Sequence, residues 1–242
     1  MKMRLLTCVI VPSLLLIGLT AQASAQSIGI NFSSAKNVEK STLADDATAG
    51  INAAKQTHWN NLRVSNSDAN GHSNSGHLLE VVDDQGKAVD STTVQVKGDK
   101  THQVWSTNGS SWGFKGDNLT LQSGQLHYGP MITVADVPYK KYDVIVYISA
   151  GNSGGIGQVN IAKANNVAGE VSGDKTYFVN YQWASGQFKQ ATATTLDDAK
   201  SAAAGNYVVF SGITASDFTI TFNGKVVKGW LGVSAIQIVQ AK

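Results

Sequence analysis

The apolar positions of this chain alternate over short runs, and polar, glycine-rich stretches separate the runs. The clearest run covers residues 142–149, entered through a turn holding Pro138. There Val144, Val146 and Ile148 point one way, and Ile145 and Tyr147 the other. A strand apolar on both sides wants cover on both sides, which predicts a place in the middle of a sheet. Residues 27–32 alternate more simply, with Ile28, Ile30 and Phe32 on one face, and read as the first strand. Residues 218–222 alternate as cleanly, with Phe218, Ile220 and Phe222 inward. Residues 233–239 read as the closing strand.

Between these runs the chain reads as hairpins: strands at 78–82, 92–96 and 102–105, with turns at 83–86 and 98–99. Further strands are predicted at 119–121, 128–134, 158–162, 175–181 and 206–210. Asn223-Gly224 is the strongest hairpin signal in the chain, with 225–228 as the returning strand. Residues 33–55 are polar and Ala-rich and could give one short helix, but Gly50 and a weak apolar stripe argue against a long one. About a dozen short strands at close spacing, with no repeat and no domain linker, mean a β-sandwich or a barrel.

The first residues change the picture of what is mature. Met1–Arg4 is a short basic start, residues 5–19 are apolar, and Ala23-Ser24-Ala25 is a small-x-small cleavage site. This predicts a secretory signal peptide over residues 1–25 and a single domain over 26–242. No other apolar run is long enough to span a bilayer, so no membrane contact is expected after cleavage. The one cysteine, Cys8, leaves with the signal, which excludes disulfides and thiol chemistry from the mature domain. The expected location is secreted or periplasmic. Lys+Arg number 19 and Asp+Glu 17; removing Lys2 and Arg4 makes the two equal. A chain so balanced is a poor binder of nucleic acid or anionic membrane, and a neutral partner such as a glycan fits better.

Five motifs run in order along the chain: INF near the mature start, WNN, VPYKKYDVIVY, GNYVVFSGI and GWLGVSAIQIV. Together they resemble a family of secreted bacterial β-sandwich domains of unassigned function, similar to galactose-binding-like and malectin-like jelly-roll modules. The resemblance implies an all-β fold: an antiparallel two-sheet β-sandwich of jelly-roll type, with at most one short helix. By analogy alone it also implies glycan contact. Modules of this kind often carry a structural Ca²⁺, which is the one cofactor the resemblance suggests.

Candidate chemistry centres on aromatic rings. Sugars present flat C–H faces that stack on such rings, while amides and carboxylates meet the hydroxyls. Trp59-Asn60-Asn61 and Tyr181-Gln182-Trp183 both have that mix, Trp112 sits in a polar run with Asn108 and Asp117, and Tyr128 belongs with them. The expected ligand-binding set is therefore Trp59, Asn60, Asn61, Trp112, Tyr128, Tyr181 and Trp183. Against it stands burial, since one indole fills much core volume. Trp105 and Trp230 abut strands and read as core. For Trp112 and Trp183 core and surface stay equally open. The alternative for the asparagines beside Trp59 is hydrogen bonding to their own loop backbone, which Asn does often.

Other constellations are weaker. His72 and His77 with Asp68 match no zinc spacing and read as solvated loop residues. His58, His102 and His127 have no obvious partners in sequence. Asp45-Asp46, Asp83-Asp84 and Asp197-Asp198 are adjacent pairs, and neighbours on a strand point to opposite faces, unlike the facing carboxylates of a glycosidase. Asp83-Asp84 reads as a turn. Asp143 could be buried, with no visible partner. The glycine-rich run GNSGGIG lacks the spacing of a phosphate loop, and no nucleophile elbow or Ca²⁺-loop motif occurs. These residues predict a secreted, non-catalytic module that binds extracellular or cell-wall polysaccharide. Two rivals remain. One is a polysaccharide hydrolase or lyase. The other is a matrix protein that self-associates through strands 218–222 and 233–239, if those lie at an edge.

Overall fold

The computed structural model describes residues 26–34, 38–66, 74–98, 104–106, 113–127, 129–150, 154–164, 169–171, 175–182 and 186–241. The expected signal peptide, residues 1–25, lies outside them. Among the described residues fifteen strands form, β1 (Ser27–Ser34), β2 (Asn60–Asn66), β3 (Asn74–Leu78), β4 (Val81–Val82), β5 (Ala88–Val89), β6 (Thr93–Lys97), β7 (Val104–Ser106), β8 (Gly124–His127), β9 (Met131–Ala135), β10 (Tyr142–Ala150), β11 (Gly155–Lys163), β12 (Lys175–Tyr181), β13 (Tyr207–Ile213), β14 (Phe218–Asn223) and β15 (Leu231–Gln240). The protein is an all-β sandwich. One layer runs β13-β10-β15-β1-β2, with β8 and β7 continuing beside β15, and the other runs β2-β3-β6-β9-β14-β11-β12.

Strand β2 belongs to both layers. Its first part, Asn60–Val64, pairs with β1, and its last residues, Ser65 and Asn66, pair with β3. The β1–β2 pair is parallel, which departs from the all-antiparallel expectation; every other pairing between named strands is antiparallel. Between the layers lies the main core, to which β1 gives Ile28, Ile30 and Phe32, β14 gives Phe218, Ile220 and Phe222, and β15 gives Ile236 and Ile238.

The two-sided reading of β10 holds. It sits between β13 and β15. Val144, Val146 and Ile148 enter the main core, while Ile145 and Tyr147 enter a second core on the outer side of the same layer. That second core is closed by Leu43, Ala47, Ala49, Ile51, Trp59 and Leu121. The cover is built from the polar, Ala-rich segment before β2 together with a helix.

Among the described residues three short helices form rather than at most one: α1 (Val38–Ser41), α2 (Gly116–Ser123) and α3 (Leu196–Ser201), plus a 3₁₀ turn at Asn52–Ala54. Residues 119–121 were expected to be a strand. They are the middle of α2, where Leu121 and Gln122 are buried against the layer. Helix α3 starts on a reciprocal cap: Asp198 N–H donates to Thr195 Oγ1 at 3.1 Å, and Thr195 Oγ1–H donates to Asp198 Oδ2 at 2.7 Å.

The Asn223-Gly224 turn does not make a hairpin. Strand β14 pairs with β9 and β11, residues 225–228 form no strand, and β15 lies in the other layer. The dipeptide is the corner where the chain leaves one layer for the other. A two-residue turn sets a register only if the strand after it stays in the sheet, and here the apolar face of β15 draws it across.

Candidate functional site

Of the expected ligand-binding set, Trp59, Asn60, Asn61 and Tyr181 lie among the described residues, and these four form no exposed aromatic platform. Trp59 is buried at 3 % exposure, with its indole N–H donating to the Gln56 carbonyl at 3.1 Å and its ring edge-on to Tyr147 at 6.1 Å. It lies so close over β1 that a side chain at Gly29 would collide with the indole and with Gln56. Around it runs a buried polar chain. Tyr147 Oη donates to Gln237 Oε1 at 2.8 Å and accepts from the Ile51 amide at 3.1 Å. Gln237 Nε2 donates to the Ala54 carbonyl and to Gln56 Oε1. Every part of that chain ties the cover to the layer.

Asn60 and Asn61 are consumed in the same way. Asn60 Nδ2 donates to the carbonyls of Gly29 and Val82, and Asn60 Oδ1 accepts from the Val82 amide at 2.7 Å. Its amide thus stands in for a peptide group and moors β4. On the opposite face of β2, Asn61 Nδ2 donates to the Leu43 carbonyl, and its Oδ1 accepts from the Leu43 amide and from Asn31 Nδ2 at 2.8 Å. Tyr181, at 1 % exposure, is in the main core, its phenol oxygen met by the backbone of Ala150. Trp112, Tyr128 and Trp183 lie outside the described residues, as do His72, His102 and Asp68. The exposed-platform expectation is therefore corrected for Trp59 and Tyr181: each ring covers core surface.

Trp230 corrects the reading in the other direction. Expected in the core, it is 43 % exposed. Its ring stacks on His127 at 5.5 Å and 16°, and Lys225 Nζ lies 5.3 Å from the ring centroid. Trp230 belongs to the loop that follows the Asn223-Gly224 corner. Asn223 Oδ1 starts that loop by accepting from the Lys225 amide, and the Leu231 amide closes it on the Gly224 carbonyl at 3.2 Å. The loop also exposes Val227, at 51 %, and Lys228.

Beside this loop opens a cavity of about 500 Å³, lined by Gly154, Gly155, Ile156, Asn180, Gln182, Lys200, Val227 and Lys228. Glycine makes its rim possible. Gly229 has φ +94°, a conformation that L side chains rarely adopt, and a Cβ on Gly155 would meet the Lys228 carbonyl. The two glycine stretches can therefore touch, while the amides of Val226 and Val227 donate to the Ile156 carbonyl at 2.9 and 3.4 Å. Asn180 Nδ2 donates to the Ala202 carbonyl, which fixes its side chain against the end of α3. Lys200, on α3, pairs with the exposed Asp197 at 2.8 Å. Among the described residues no Asp or Glu lines this cavity.

A second cavity of about 360 Å³ lies at the other end of β15, lined among others by Gln26, Asp83, Asp90, Tyr139 and Gln240. As expected, Asp83 serves a turn: its Oδ1 accepts from the amides of Gln85 and Lys87. Burial raises the Asp84 carboxyl above its ordinary pKa, opposed by the Ser27 amide. Burial, then Asp83 and Asp84, also push the Tyr139 phenol up. His58, which showed no partner in sequence, meets Thr57 Oγ1 and the Asp84 carbonyl. Asp143 likewise has one, accepting from the Gly212 amide at 2.8 Å. Among the described residues no three His, Cys, Asp or Glu side chains gather as a metal site, and no helix is long and apolar enough to cross a membrane.

No protein-family model matches the chain, and no curated protein matches it. Among solved structures it is similar to part of an exo-β-1,3-galactanase from Phanerochaete chrysosporium, determined with galactose, at 17 % identity and a TM-score of 0.30. That match covers 66 % of this chain and 32 % of the galactanase, so the chain spans about a third of that protein's length. A likeness this slight says nothing about what the present chain binds.

Proposed function

We propose that this protein is a non-catalytic carbohydrate-binding module whose site is the cavity beside the 224–231 loop, with Trp230 as its aromatic element. The observation that carries this reading is one juxtaposition. An open cavity lined by two side-chain amides and two lysines lies beside a loop whose tryptophan is exposed. Amides and ammonium groups match sugar hydroxyls, and an indole matches a sugar's C–H face. The Lys225 side chain near the ring is exposed and unbranched, so a saccharide can displace it and still meet its ammonium group.

The enzyme reading draws less support. Hydrolysis of a glycosidic bond generally uses two carboxyl groups flanking it, and the described residues of the cavity lining offer none. The self-association reading loses its specific motive, because β14 and β15 each have strands on both sides.

The test is retention on a panel of insoluble polysaccharides by the chain and by Trp230→Ala. Retention on at least one polymer, lost in the variant with an unchanged circular dichroism spectrum, supports the site. Equal retention by both proteins moves binding elsewhere, and no retention on any polymer removes the reading.

A further inference from the structure

We infer that the ligand is an anionic saccharide, its carboxylate or sulfate held between Lys228 and Lys200, a deepening that rests on the proposed carbohydrate site. The sequence as a whole favours a neutral partner, because its charges balance. The cavity is not balanced. Among the described residues that line it, two are lysines and none is acidic. A third, Lys225, extends from the same loop toward Trp230. Lys200 keeps one carboxylate contact, to Asp197, which lies on the exposed face of α3 and outside the lining. No described carboxylate lies within ion-pair distance of Lys228.

The rest of the lining suits a sugar acid rather than a bare anion. Asn180 and Gln182 supply amide groups for ring hydroxyls, and Val227 supplies apolar surface. A charge-assisted hydrogen bond is roughly twice as strong as a neutral one, so an acidic residue gains most where it meets both ammonium groups. Long-range attraction is weak in a chain of near-zero net charge. The site therefore reads one acidic sugar at a time and does not act as a polyanion trap, unlike a nucleic-acid binder that neutralises many phosphates.

The experiment is affinity electrophoresis and calorimetry of the full chain with four polymers: polygalacturonate, its carboxyl-reduced neutral counterpart, a sulfated galactan and polyglutamate. The expected result is binding to polygalacturonate or the sulfated galactan about tenfold tighter than to the neutral polymer, as one or two charge-assisted contacts give. Which of the two binds identifies the anionic group. The double variant Lys200→Gln, Lys228→Gln should lose this preference and keep its melting temperature, since both side chains are exposed. Equal binding of the neutral polymer overturns the inference and leaves the carbohydrate reading standing. Polyglutamate bound as tightly as polygalacturonate overturns it as mere ion exchange, and an undiminished preference in the double variant removes it from these lysines. If no saccharide binds, the carbohydrate reading itself has failed.

Discussion

Two regions of the molecule carry a tryptophan among polar neighbours, and they are opposites. In the cover over β1 and β10, Trp59 is sealed, and the amides nearby are already bonded to backbone or to each other. In the loop after β14, Trp230 is exposed, and Val227 and Lys228 of the same loop line a cavity. Both present the composition of a sugar site. What separates them is how far the polar groups are committed. Asn60 and Asn61 use both ends of their amides on the fold, whereas Asn180 commits only its Nδ2, to the Ala202 carbonyl, and keeps its Oδ1 for a ligand.

The largest effect that can sharpen this contrast is Trp59→Ala. Removing a buried indole should cost about 3–5 kcal/mol, read as a shift in the urea unfolding midpoint. Destabilisation near that of a surface change would break the comparison. Acrylamide quenching of the single-tryptophan replacements should agree, with Trp59 shielded and Trp230 accessible.

Tyr147→Phe comes next. It leaves the Ile51 amide and Gln237 Oε1 without their phenol, for a loss of about 2 kcal/mol. The same phenol gives a pH signature. Burial raises its pKa above the ordinary value of 10. The neutral form is thus favoured in the folded state, so the contribution is present below pH 10 and is lost as pH rises through the folded value. Alkaline titration followed at the phenolate absorbance should show Tyr147, with buried Tyr142 and Tyr181, ionising only as the protein unfolds. The Phe variant should lose stability less steeply above pH 10.

Asn60→Ala should cost somewhat less, between about 1 and 2 kcal/mol, because water can reach part of this half-buried site. Its distinguishing readout is faster amide hydrogen exchange at Val82, whose amide donates to Asn60. The smallest stability effect belongs to Trp230→Ala, about 1 kcal/mol for the stacked contact with His127. Polysaccharide retention should nevertheless fall in that variant alone. A Trp59→Ala protein that still folds should keep it.

Much of the fold could be read from the sequence. Alternation placed β1, β10, β14 and β15, and the double-sided pattern of β10 foretold both of the cores it joins. Periodicity was less informative where neighbours decide the outcome. Residues 119–121 alternate like a strand, yet that segment is helical because Leu121 fills the outer core. Thr195 and Asp198 mark the start of α3, a spacing that the surrounding polar residues obscure. Asn223-Gly224 carries a local turn preference, and the layer change that overrides it is a long-range matter.

The site was less readable. Residues 59–61 are adjacent in sequence but face alternate sides of a strand, so they cannot form one surface. Trp230 precedes the buried Leu231 by one residue, and adjacency to a strand does not tell which side of its end a ring will take. The signal that could have found it is Lys225-Val226-Val227-Lys228-Gly229, where two lysines and a glycine break the apolar alternation.

The segment between β12 and α3 has a consequence for how these molecules meet one another. The Phe178 amide donates to the Ala193 carbonyl, and the Ala191 amide donates to the Tyr207 carbonyl, so this one segment bonds to both β12 and β13. Those strands terminate the ribbon of paired strands that β2 carries from one layer to the other. The segment works as a hem, stitching together two margins that would otherwise recruit a strand from a neighbouring molecule. Cutting that hem, by a protease site placed in residues 187–190, should turn a monodisperse solution into one that scatters light.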